Sequence, residues 1–178
     1  MDNSPAGKQN ELTHELLSRG LCVNASGEVL LCRRKDAPQR SFLPGGHIDR
    51  GEGARAALER EIGEELSLPS RAGAFLGAAE HFFGPGSDTT FEMNVVFALE
   101  IPALASGGEP ASAEPWQEFF WCAPERLSEA GFEPKCLRAP LREWAAKASA
   151  ESREGGTRGA RAAAFASAYE TAPGESGR

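Results

Sequence analysis

The sequence holds no apolar run of the roughly 18 residues that a membrane-spanning helix needs, and no charged leader with an apolar core of the kind that directs secretion. A cytoplasmic protein with no membrane partner is the expectation. Cysteine is sparse: Cys22, Cys32, Cys122 and Cys136 are scattered with no CxxC spacing. Small buried thiols are therefore expected, and disulfides or a zinc site are not. No basic run exceeds Arg33-Arg34-Lys35, and the net charge is −7. Sequence-independent nucleic-acid binding, which requires many phosphate-neutralising cations, is not expected of such a chain. There is no internal repeat, and 178 residues can bury a substantial core as one domain without disulfides.

What the chain has in concentration is acid at regular spacing. From Gly46 to Leu68, Glu52, Glu61, Glu64 and Glu65 surround Arg60. Ala54 to Leu66 contains no proline, is rich in Ala, Leu, Glu and Arg, and is interrupted only by Gly63, so a helix is expected there. At about 100° per residue, Glu61, Glu64 and Glu65 share an arc of roughly 100°, beside an apolar stripe of Leu58, Ile62 and Leu66. A solvated helix face normally alternates charge sign, because like charges four residues apart repel. Three carboxylates that close raise one another's pKa unless a cation offsets them. Their hard oxygens suit Mg2+ or Mn2+ rather than zinc.

The spacing Gly46, Glu52, Arg60, Glu61, Ile62, Glu64, Glu65 and Leu68 resembles the Nudix box, G-x5-E-x7-R-E-U-x-E-E-x-G-U with U aliphatic. One position departs: Ser67 stands where the family has glycine. A family glycine there ends the helix in a left-handed conformation, which costs another residue about 1 kcal/mol. Ser67 is expected to carry that strain, unless the helix ends differently before Pro69. Phe42-Leu43-Pro44-Gly45-Gly46 is similar to the family's lead-in, and the likeness runs from about residue 18 to 148.

The resemblance implies an α/β (α+β) fold, an α/β/α sandwich with a mixed central sheet and a loop-helix-loop catalytic motif. Leu21–Val23 and Glu28–Cys32 read as short strands joined by the turn Asn24-Ala25-Ser26-Gly27. Phe75–Phe83 and Phe91–Ile101 read as longer strands around Gly84–Asp88, and the resemblance implies a further strand at Glu118–Cys122 and the C-terminal helix at Pro134–Lys147. A polar segment, 1–17, precedes the domain, 18–148. The Ala-, Gly-, Arg- and Glu-rich tail, 149–178, reads as disordered or as one short helix over Ala160–Glu170. From Ala150 the tail balances four arginines with four glutamates, so the net charge belongs to the preceding residues.

The resemblance also implies a reaction: hydrolysis of a pyrophosphate bond in a nucleoside diphosphate linked to another group. Glu61, Glu64, Glu65 and the Gly46 carbonyl become metal ligands for Mg2+, or Mn2+ as a substitute, with Glu52 as an outer ligand. Arg60 is expected to orient the glutamates by charge-assisted hydrogen bonds. Glu61 or a glutamate from a distant loop becomes the base, so the catalytic candidates are Glu61, Glu64 and Arg60. Glu92 is a further candidate for metal or base. Arg33, Arg34, Arg40, Glu80 and His81 are candidates for substrate contact, and Lys35 and His47 lie near the same elements. Trp116, Phe119, Phe120 and Trp121 are expected mainly in the core. The expected substrate is a (deoxy)nucleoside triphosphate, with ADP-ribose, nucleotide sugars and RNA 5′ ends as alternatives, in a monomer or homodimer. The proline that marks the ADP-ribose branch is not matched, because Pro85 misses the spacing. A Nudix fold that binds nucleotide without catalysis is the reading from another class, disfavoured by the complete set of box carboxylates.

Overall fold

The structure is a computed structural model that describes residues 13–83, 90–153 and 169–170. Strand β1 spans Thr13–Leu21, β2 Val29–Arg34, helix α1 Ala54–Leu66, β3 Arg71–Phe83 and β4 Thr90–Glu100. Strand β5 follows at Gln117–Cys122, helix α2 at Arg138–Arg153 and the two-residue β6 at Tyr169–Glu170. Short 3-10 turns lie at Pro102–Leu104, Pro124–Arg126 and Lys135–Leu137.

The strands form a mixed four-stranded sheet in the order β1-β4-β3-β6 and a separate antiparallel pair, β2-β5. Alternating side chains then build two cores. Val29 and Leu31 of β2, Val96 of β4 and Cys122 of β5 pack with Leu141 and Ala145 of α2. Leu30 and Cys32 of β2, Phe97 and Leu99 of β4 and Phe119 of β5 pack with Leu58, Ile62 and Leu66 of α1. Period-two alternation places these sets on opposite faces, so the strands lie between the two helices as the sandwich requires. No helix among the described residues is long and apolar enough to cross a membrane.

Several elements differ from the sequence reading. Leu21–Val23 does not act as one hairpin strand. Leu21 ends the long β1, which pairs in parallel with β4, and only Cys22 and Val23 cross to β2, through Leu30 N–H to Cys22 O at 2.9 Å and a Val23–Val29 bridge. The turn itself forms, with Asn24 Oδ1 accepting from the backbone N–H groups of Ser26 and Glu28 at 3.0 and 2.9 Å. β1 begins at Thr13, ahead of the expected boundary at 18, because His14–Leu17 complete its register against β4. The C-terminal helix starts as a 3-10 turn and continues to Arg153, past 148. Tyr169 and Glu170 pair with Glu80 and His81 of β3, so these two are strand and not helix. The rest of Ala160–Glu170, the turn Gly84–Asp88 and residues 1–12 lie outside the described residues.

Candidate active site

The segment from Leu43 to Ile48 lies along the free edge of β1. Gly20 N–H donates to Pro44 O, Ser18 N–H to Gly46 O and Ile48 N–H to Leu16 O, each at 2.9 Å. Ser18 Oγ donates to Ala54 O at 2.7 Å and so fastens the start of α1 to the same strand. Gly45 has φ +119°, a conformation that favours glycine. At Gly46 a Cβ would stand 2.5 Å from the Glu61 carboxyl carbon. The absent side chain lets the first glutamate of the cluster lie against the loop.

Arg60 is the centre of the acidic group. Nε and Nη2 donate to the two oxygens of Glu52 at 3.0 and 3.1 Å. Nη1 donates to Glu61 Oε1 at 2.9 Å and Glu64 Oε2 at 3.2 Å, and Nη2 also reaches His47 O at 3.0 Å. Asp49 stands 3.7 Å away. Glu52 precedes the N-cap Gly53, and its hydrogen bonds from Arg60 hold its pKa below the usual carboxylate value. The helix ends at Ser67 in the left-handed conformation, φ 54° and ψ 32°, with its N–H donating to Gly63 O. The serine therefore adopts the glycine's geometry.

Glu65 behaves unlike its neighbours. It is buried, and burial raises its pKa to about 7, although Gln117, Arg19 and the Gly45 amide ease the shift. Gln117 Nε2, at the start of β5, donates to Glu65 Oε1 at 2.8 Å. Oε2 is buried without a well-formed hydrogen-bond partner. Gln117 and Arg19 are the residues that sequence reasoning missed. Each is polar at an inward position of an otherwise apolar alternation, Leu17-Arg19-Leu21 in one case and Gln117-Phe119 in the other. Arg19 donates to the carbonyl oxygens of Leu43 (3.3 Å) and Gly45 and, at 3.4 Å, to Asn94 Oδ1.

The remaining candidates divide into two groups. His81 and Glu92 face each other across β3 and β4, Nδ1 to Oε2 at 3.2 Å. Burial opposes the Glu92 charge, but His81, Arg19 and Asn94 together outweigh it and lower its pKa. Among the described contacts, Arg19 is what links this pair to the box. Arg33 instead pairs with Glu118 and lies over Phe120, its guanidinium carbon 4.6 Å from the ring centre. Arg34 is bonded by both its Nε and Nη2 to Asp36 and lies over Trp116. Lys35 donates to Pro115 O, Arg40 lies over Phe42, and half-buried Glu80 is opposite Met93. His47 is exposed, 3.5 Å from Glu15. Of the aromatics, Phe119 is core, Phe120 and Trp121 pack against it, and Trp116 is exposed.

Among the described residues no three His, Cys, Asp or Glu side chains converge as a ready set of ligands. Arg60 holds Glu52, Glu61 and Glu64 around its own guanidinium instead. The donors nevertheless fit a hard divalent cation: carboxylate oxygens dominate, Arg60 takes one oxygen each of Glu61 and Glu64, and Glu65 Oε2 is orphaned.

The NUDIX domain model matches residues 17–148. The chain belongs to the Nudix family. A Bacillus subtilis (strain 168) protein provisionally named 8-oxo-dGTP diphosphatase is 32% identical over 107 residues, 60% of this chain and 65% of that protein. The chain thus aligns with slightly less than two thirds of that relative. The Methanocaldococcus jannaschii ADP-ribose pyrophosphatase is 26% identical over 125 residues, 68% of this chain and 70% of that protein. The crystal structure of a MutT protein from Methanosarcina mazei Go1 superposes with a TM-score of 0.58 at 19% identity, covering 78% of this chain and 97% of that one. This last likeness shows a Nudix fold. Nudix hydrolases generally use divalent metal ions, and nucleotides are the family's substrates.

Proposed function

We propose that the chain is a Mg2+-dependent pyrophosphohydrolase that cleaves a pyrophosphate bond in a nucleoside diphosphate linked to another group, with a (deoxy)nucleoside triphosphate as substrate. The observation that carries this reading is the charge imbalance around Arg60. One guanidinium serves Glu52, Glu61 and Glu64, and Glu65 beside them has a bare buried oxygen. Such a group gains most from a second cation. Glu61, Glu64, Glu65 and the Gly46 carbonyl would hold it, with Glu52 outside them. Ser18 N–H occupies only part of that carbonyl's accepting capacity.

A divalent ion in this place supplies charge stabilisation at phosphate oxygens and lowers the pKa of water. The chain's own residues do the rest. Arg60 fixes the spacing of three glutamates, and the proton of the attacking water goes to Glu61 or to a glutamate from outside the box, for which Glu92 is the candidate. The relative provisionally named 8-oxo-dGTP diphosphatase supports a nucleoside triphosphate, and the ADP-ribose pyrophosphatase supports the alternative.

The test is a panel of nucleoside triphosphates, oxidised nucleotides, ADP-ribose, nucleotide sugars and triphosphorylated RNA, with Mg2+ and with Mn2+. Turnover that needs the ion, is highest with triphosphates and disappears in Glu64→Gln and Glu65→Gln is the expected result. Tight nucleotide binding without turnover across the panel would make the chain a binding module. Preference for ADP-ribose would overturn the triphosphate reading alone.

A further inference from the structure

Strand β5 contributes to the box from 52 residues away. Gln117 is 4% exposed, and its amide nitrogen donates to Glu65 Oε1 at 2.8 Å. In the segment just before β5, Ala113 N–H donates to the Glu65 backbone carbonyl at 2.7 Å. The same glutamate is therefore gripped twice, by main chain and by side chain, from the segment that leads into β5. Two buried oxygens of this pair remain without a well-formed hydrogen-bond partner, Glu65 Oε2 and Gln117 Oε1. A buried orphan acceptor is costly, and one on each partner of a single hydrogen bond calls for a reason.

We infer that Gln117 is a positioning residue for the metal: it ties down one oxygen of Glu65 so that the other is presented, unsatisfied, to a divalent cation. The inference rests on the metal-binding reading of the box. An amide donor suits the task better than a cation would. It fixes the carboxylate's rotation through one hydrogen bond while leaving the negative charge in place for the ion. The contrast with Glu64 supports this. Glu64 is exposed and already shares Arg60, so its orientation is set from within its own helix. Glu65 faces the strands, has no arginine hydrogen-bonded to it among the described contacts, and is oriented from outside the helix. The Glu65 carboxylate is held by Gln117 before any ion binds, so its own orientation need not change on binding.

The experiment is Mn2+ titration by electron paramagnetic resonance on the full chain without nucleotide. Gln117→Met keeps the length and removes the donor. The Mn2+ dissociation constant is expected to rise about tenfold or more, the usual effect of losing a residue that orients a ligand. In a Glu65→Gln background the same substitution is expected to change Mn2+ affinity less than about twofold, since the carboxylate it orients is gone. A purely structural role would weaken both backgrounds alike and overturn the inference. If Gln117→Met alone leaves Mn2+ affinity intact while Glu64→Gln and Glu65→Gln weaken it, the inference fails and the metal site stands. If none of the three matters, the metal-binding reading itself fails. Should Gln117→Met not fold, a crystal structure of the unaltered chain with Mn2+ decides: Glu65 Oε1 still on Gln117 with Oε2 on the ion supports the inference, and a carboxylate turned away from Gln117 overturns it.

Discussion

On β2 and β5 each cation has its own acid, Arg33 with Glu118 and Arg34 with Asp36, while Lys35 rests on a carbonyl. In the box one guanidinium is divided among Glu52, Glu61 and Glu64, and Glu65 has an amide in place of a cation. Both regions look densely charged in the sequence. Only one of them carries a local surplus of a single sign held in fixed geometry. Matched pairs at a surface contribute little and ask for nothing further, whereas a fixed surplus of acid under a glycine loop gains from an added cation.

The largest test of that contrast is Arg60→Met. Removing the shared guanidinium frees three carboxylates to repel one another, and misplacement of about 1 Å at a reacting centre costs on the order of a hundredfold. A fall in kcat/KM of that size is expected for the best substrate of the panel. Arg33→Met is expected to leave kcat/KM nearly unaltered. Comparable losses in the two variants would erase the distinction between the regions.

Next comes Glu65, whose cost to the fold is readable in pH. Its pKa is raised from 4.5 to about 7 in the folded chain. The folded state thus holds the proton more tightly than the unfolded one. The corresponding stability is fully present below about pH 4.5 and is lost as the pH rises through about 7. Metal-free Glu65→Gln should therefore be more stable than the unaltered chain at pH 8, by up to about 3 kcal/mol, with the gap shrinking below about 1 kcal/mol near pH 4.5. Urea unfolding of both proteins at the two pH values measures it. A constant gap would mean that burial of Glu65 is not what strains the box.

How far these features can be read from the chain alone depends on distance along it. The three glutamates and Arg60 belong to one helix, where residues three and four apart meet by the geometry of the turn, so their gathering follows from spacing. Gly46 is legible only through the resemblance to the Nudix box, because its close approach to Glu61 joins a loop to the helix. Gln117 and Arg19 are not. Each reaches the site by strand packing, 52 residues from Glu65 in one case and 26 from Gly45 in the other. Only a polar residue breaking an apolar alternation hints at them. The short hairpin expected at Leu21–Val23 gave way to β1 for a related reason. A turn signal fixes where the chain reverses, while the choice of β4 as partner is decided by long-range packing.

Ser67 separates the cap of the box from its charges. It holds a left-handed conformation at φ 54°, which favours glycine by about 1 kcal/mol. Ser67→Gly restores the family residue. Loss of strain is partly offset by the greater freedom of glycine in the unfolded chain, so a gain of somewhat under about 1 kcal/mol is expected in thermal or urea unfolding, with unaltered Mn2+ affinity. A shift in Mn2+ affinity would show that the cap and the carboxylates are coupled, and that the box cannot be described by its charges alone.

The smallest expected effect is the most direct probe of the other region. Arg34 and Asp36 form an exposed pair, 57% and 65% accessible at the side chain. Such pairs are screened by water and salt and hold little stability. Arg34→Met is expected to leave the unfolding midpoint unaltered and kcat/KM within about twofold. The informative failure would be a rise in KM for triphosphates with no change in stability. That result would mean that Asp36 yields Arg34 to a phosphate when substrate arrives, so that an apparently matched pair is a reserve of positive charge. The contrast would then change in kind: the box would be short of a cation for the metal, and the end of β2 would hold a cation in waiting for the nucleotide.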